Sequence, residues 1–162
     1  MPTSRMRWYG AAALCLALPI GWMATRVLLG IGGASGAQPF FGVRLGMTAQ
    51  DIRTGFALPG AWRSEAGALG EGPGAIVLEW RPADPVTSPV RAARFELHDG
   101  FLVALRAQLA PSSAIADGPA FDVNDQVVRH RERVAAGVRY TVLARSCPTH
   151  ADEVQRLLAS RD

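Results

Sequence analysis

Cys147 is the residue with the most chemistry within reach. It precedes Pro148, which favours the first turn of a helix, and His150 lies three positions on. Unpaired amides and the dipole at a helix start favour a thiolate, and an adjacent imidazole can act as its base. Cys147 and His150 are therefore the candidate catalytic pair of a thiol enzyme. The plainer reading of Cys147, a small buried core residue, is preferred, because the sequence assigns neither an oxyanion site nor an orienting third group.

A second set is Arg129, Arg131, Arg133, Arg139 and Arg145, the candidate anion or partner surface. All 17 basic side chains of this 162-residue chain are Arg, and with 14 acidic residues the net charge is only +3. The absence of Lys excludes a P-loop lysine, a Schiff base and a lysine general base. His130, Glu132 and Tyr140 form a third set, read as a hydrogen-bonded network on an apolar face. The three His (98, 130 and 150) lie far apart, and neither CxxC nor HExxH occurs, so no metal or other cofactor is expected. Glu79, Glu96 and Arg106 read as ordinary solvated strand positions.

These side chains must be positioned by a few elements. Thr48-Ala49-Gln50-Asp51 has the capping-box form, with Ile52 and Phe56 as one turn of apolar face, and Pro59-Gly60 ends that helix. The Gly-rich residues 60–74 read as a flexible connector. With a strand-like run after it instead of a helix, a dinucleotide loop is excluded. Two hairpins follow, each with a three-residue loop ending in Gly. His98-Asp99-Gly100 pairs Leu97 with Phe101, and Ala135-Ala136-Gly137 pairs Val134 with Val138. The second register sets Arg133 opposite Arg139, like charges that call for a compensating anion. Ala151, Val154, Leu157 and Leu158 fall at helical spacing, with Thr149 and Asp152 in a cap pattern. The expected fold is α+β: an N-terminal transmembrane helix followed by a five-stranded antiparallel sheet with helices packed on one face.

The N-terminus supplies the address. Arg5 and Arg7 precede an uncharged, largely apolar run over residues 8–25, long enough to span a bilayer. Residues 1–37 are read as a membrane anchor plus Gly-rich linker, with signal-peptide cleavage before Gln38 as the alternative. Residues 38–162 form the exported domain, because the Arg pair holds the N-terminus in the cytoplasm. Cys15, in the apolar run, is a lipid-facing small residue, which leaves Cys147 as the one thiol of the exported domain.

Gly42-Val43-Arg44-Leu45-Gly46-Met47-Thr48-Ala49-Gln50-Asp51-Ile52-Arg53 resembles the G-x-R-x-G-M-T-x-x-[DEQ]-V opening of small exported domains of the SmpA/OmlA outer-membrane assembly lipoprotein type. Related patterns open the first helix of β-lactamase-inhibitor-like domains. The resemblance implies a non-catalytic protein-binding or scaffold module, and the apolar run with its Arg pair tethers it to the inner membrane by a single span with its body in the periplasm. Its expected partner is another envelope protein. Nucleic acid is excluded by export, and no small-molecule substrate is indicated. The alternatives are a thiol enzyme using Cys147 and His150, and an anionic-surface binder using the Arg-rich hairpin.

Overall fold

A computed structural model of the chain describes residues 39–66 and 75–161. The expected membrane segment lies outside them, and among the described residues no helix is long and apolar enough to cross a membrane.

The capping box is formed as expected. Helix α1 (Ala49–Gly55) starts where the Asp51 amide donates to Thr48 Oγ1 and the Thr48 amide donates back to Asp51 Oδ2. The Thr48 hydroxyl also donates to Asp51 Oδ2 at 2.7 Å, and this bond first, with the one from the Thr48 amide, holds the Asp51 carboxyl below its ordinary pKa. Just before it, residues 40–43 make a tight turn in which Gly42 has φ 92°, and a Cβ there would sit 2.2 Å from the Gly55 carbonyl oxygen. The first Gly of the opening motif is thus needed for close approach to α1.

Seven strands follow: β1 (Gly60–Ala66), β2 (Ile76–Pro82), β3 (Val90–His98), β4 (Phe101–Leu109), β5 (Phe121–Val123), β6 (Val127–Val134) and β7 (Gly137–Ala144). They form one antiparallel sheet in the order β1-β2-β3-β4-β7-β6-β5. A 3-10 turn (Pro148–His150) then leads into helix α2 (Ala151–Ala159). The expected five-stranded sheet with helices on one face is therefore incorrect on both counts. The two added strands are edges. β1 occupies the start of the stretch read as a connector, and only Trp62 of it packs on the core. β5 has three residues. The two helices sit on opposite faces. Ile52 of α1 and the adjoining Phe56 join the main core with Trp80, Phe95, Leu105 and Tyr140, whereas Val154 of α2 packs on Ala104, Val128 and Leu143 from the alternate row. The α2 start carries no side-chain cap, so the expected Thr149 cap is not made.

Both hairpins depart from the expected register. The β3–β4 turn has two residues, Asp99 (φ 52°) and Gly100 (φ 82°), and pairs His98 with Phe101. With unbroken pairing this turn would set Phe101, Val103 and Leu105 on the face of Arg94 and Glu96, and a bulge removes that mismatch: Leu97 pairs with Leu102 but Glu96 with Ala104, leaving Val103 extra. The β6–β7 turn is also shorter by one residue, with Val134 opposite Gly137 and Glu132 opposite Arg139. A one-residue slip reverses which face each side chain of β6 occupies relative to β7, so Arg133 faces Val138 and not Arg139.

Candidate functional site

The face of the sheet that carries α2 gathers the chemistry. At one corner, the end of β3 brings His98 to the turn after β7. Cys147 Sγ lies 3.3 Å from His98 Nδ1, and the rings of His98 and His150 stack with centroids 5.2 Å apart. Cys147 and His150 bracket the 3-10 turn, closed by the His150 amide donating to the Cys147 carbonyl at 3.2 Å. With three residues per turn, their side chains eclipse on one side. One ligand atom from each of His98, Cys147 and His150 lies within 4.8 Å of the other two. His98 is half-buried, while Cys147 and His150 are only 5% and 4% exposed.

His150 sits between two carboxylates. Its Nε2 is 3.4 Å from Glu96 Oε2 and its Nδ1 is 3.8 Å from Glu153 Oε2. The Nε2 approach lacks hydrogen-bond alignment and leaves that enclosed nitrogen without a partner. Burial lowers the His150 pKa below 6.5. Arg106 and His98 push the same way, while Glu96 and Glu153 oppose it.

Glu96 is not a solvated strand position, as its place in the sequence suggested. It is 3% exposed and accepts from Arg94 Nε at 3.2 Å and from Arg106 Nη1. Arg106 Nη2 donates to Glu153 at 2.6 Å, and Arg94 approaches Glu79 at 3.7 Å. Desolvation pulls the Arg106 pKa down but is outweighed by the charges of Glu96 and Glu153 and the hydrogen bonds to them, so it stands above the ordinary arginine value. This chain of alternating charges runs from the Cys-His corner into an open groove of about 240 Å³. Ala92 and the main chain of β3 and β4 at Ala93 and Ala107 form its floor, the methyl groups of Ala93 and Ala107 turning into the main core, and Arg81, Arg94, Arg106, Gln108 and Arg139 line it with donors, against one acid, Glu79. Arg81 is exposed and has no ion-pair or hydrogen-bond partner among the described residues. Arg94 Nη2 and Gln108 Nε2 have no acceptor.

The five arginines of the expected anion surface are not brought together. Arg129, 5% exposed, donates to Asp122 at 2.6 Å, and Arg131 donates to the Ile115 and Pro119 carbonyls and lies over the Tyr140 ring. Arg139, on the other face, donates to Glu132 at 2.7 Å, and Arg145 donates to the Asn124 carbonyl. Arg133 alone of the five has no partner among the described residues. The expected His130, Glu132 and Tyr140 network does not form either. His130 tilts against Phe121, and Tyr140 faces the opposite side, where burial raises its pKa.

Of the expected catalytic pair, Cys147 and His150 do share one corner, but the imidazole in reach of the sulfur is that of His98. The signal for His98 was its place beside the Asp99-Gly100 turn, which sends it to a sheet corner. Nothing in the sequence says that the turn after β7, 49 residues on, arrives at the same corner.

Comparison with protein-family models finds no match, and neither do comparisons with curated proteins and with solved structures.

Proposed function

We propose that this protein is a membrane-tethered binding module of the cell envelope, whose exported domain takes an acidic segment of another envelope protein in the groove on the α2 face of its sheet. The groove carries this reading: an open channel over the main chain of β3 and β4, lined by four guanidinium groups and one carboxylate. A floor without bulky side chains admits an extended segment, and planar guanidinium groups suit paired recognition of carboxylates. Arg81 has its full charge to offer, and the enclosed donors of Arg94 and Gln108 that the fold leaves without acceptors become available to a carboxylate if those side chains rotate into the groove. The tether rests on the apolar run at residues 8–25 and the Arg5 and Arg7 that precede it.

A nucleophilic role for Cys147 with an imidazole base is the weaker reading. The sulfur is buried, and the groove lining does not include it.

The test is binding of a labelled Glu-rich peptide to the full chain in detergent, followed by fluorescence anisotropy. Arg81→Glu with Arg139→Glu is expected to weaken binding by about tenfold or more, while Arg133→Glu with Arg145→Glu leaves it within about threefold. Equal losses from both pairs refute the groove. Alkaline extraction of membranes tests the tether, which predicts that the chain stays in the pellet.

A further inference from the structure

We infer that His98, Cys147 and His150 form a binding site for a zinc ion, separate from the groove and independent of its role. A tetrahedral zinc ion with sulfur at about 2.3 Å and nitrogen at about 2.0–2.1 Å requires its ligand atoms to lie roughly 3.3–3.6 Å apart. For a sulfur–nitrogen pair the figure is about 3.5 Å; the Cys147 Sγ to His98 Nδ1 separation of 3.3 Å is close to it, and with all three ligand atoms within 4.8 Å, small side-chain rotations bring in the third. A thiolate with two imidazoles is a donor set that suits zinc and disfavours magnesium or calcium, which take oxygen.

Two further features point to a metal. The His150 ring is nine-tenths buried, yet its Nε2 has no hydrogen-bond partner, leaving one ring position unused by the fold. Whichever nitrogen of His150 binds the ion, the other faces a carboxylate: Glu153 lies beside Nδ1 and Glu96 beside Nε2. Such an outer carboxylate fixes the orientation of a ligating imidazole. Arg94 and Arg106 hold Glu96, and Arg106 holds Glu153, so these carboxylates are positioned before any metal arrives. The three protein ligands leave a fourth position for water.

The full chain in detergent, carrying Cys15→Ser so that Cys147 is its sole thiol, is stripped with chelator and titrated with Co²⁺. One Co²⁺ per chain with a thiolate-to-cobalt charge-transfer band, displaced by Zn²⁺, is expected. Cys147→Ser should abolish the band. His98→Gln and His150→Gln should each lower Co²⁺ affinity by roughly tenfold or more, with His130→Gln unchanged. A bandless parent chain overturns the site, as do His98→Gln and His150→Gln variants that bind like the parent. Should Cys147→Ser fail to fold, alkylation of the parent decides: Zn²⁺ is expected to slow maleimide labelling of Cys147 by about tenfold or more, and unchanged labelling overturns the site.

Discussion

Replacing Glu96 with Gln removes one charge at nearly constant shape from the centre of the ion chain. At an effective dielectric of about 20, a unit pair at 3.2 Å is worth roughly 5 kcal/mol before desolvation. Burying the carboxylate takes back several kcal/mol of that. Both guanidinium partners are about 30% exposed, so solvent screens part of what remains. The Gln oxygen still accepts one hydrogen bond, and Arg106 keeps Glu153. The net loss expected for Glu96→Gln is about 1–3 kcal/mol, which for a domain of this size lowers the melting temperature by roughly 4–12 °C. Thermal unfolding of the full chain, followed by far-UV circular dichroism, reads this directly. The control is Arg81→Gln, a charge on the same face without a partner, expected within about 0.5 kcal/mol of the parent. A Glu96→Gln variant as stable as that control would refute the view that Glu96 organises the face.

The two hairpin glycines differ in what they tolerate. Both have positive φ, but a Cβ at Gly137 would meet the Leu109 carbonyl oxygen at 2.1 Å, while a Cβ at Gly100 meets nothing within 4 Å. Gly100→Ala is expected to cost about 1 kcal/mol by denaturant titration, and Gly137→Ala at least about twice as much. Equal midpoints would contradict the close approach of the β6–β7 turn to the end of β4 at Leu109. His150 gives a pH dependence in the presence of chelator. Its folded pKa lies below its unfolded value of about 6.5, so as pH falls through 6.5 the unfolded chain takes up the proton first and stability drops. Titration of Asp51 affects only a more acidic window, below 3.8. His150→Phe should flatten the midpoint between about pH 6.5 and 5, and a slope unchanged from the parent would show that His150 is not its source.

What the sequence revealed follows from how local each determinant is. The α1 cap needs only Thr48 and Asp51, three residues apart, and it forms. Strands β2, β4 and β7 carry apolar runs, and β3 and β6 patterns of apolar and charged residues that fit a strand and not a helix, which mark them without their partners. Edge strand β1 has no such run, since only Trp62 turns inward, and β5 is too short to show a period. Register was lost for a different reason. Matching apolar residues across the β3–β4 turn assumed unbroken pairing, and the extra Val103 breaks it. At the β6–β7 turn the three-residue loop set Arg131 on the polar Arg face, whereas in the fold it lies on the core side, where its guanidinium finds two carbonyl acceptors and the Tyr140 ring. The Cys-His corner was legible in half: Cys147 and His150 are close in sequence, whereas His98 joins them only through sheet order, which places β4 between β3 and β7.

The arginines that the proposed groove assigns to an acidic ligand can be tested individually. In the full chain labelled with ¹⁵N-arginine and assigned by Arg→Lys substitution, titration with the Glu-rich peptide is followed through the Nε–H resonances. The groove predicts that Arg81, Arg94, Arg106 and Arg139 shift along one saturating curve while Arg133 and Arg145 stay in place. Shifts confined to Arg133 and Arg145, or no saturable shift at the groove positions, would contradict it.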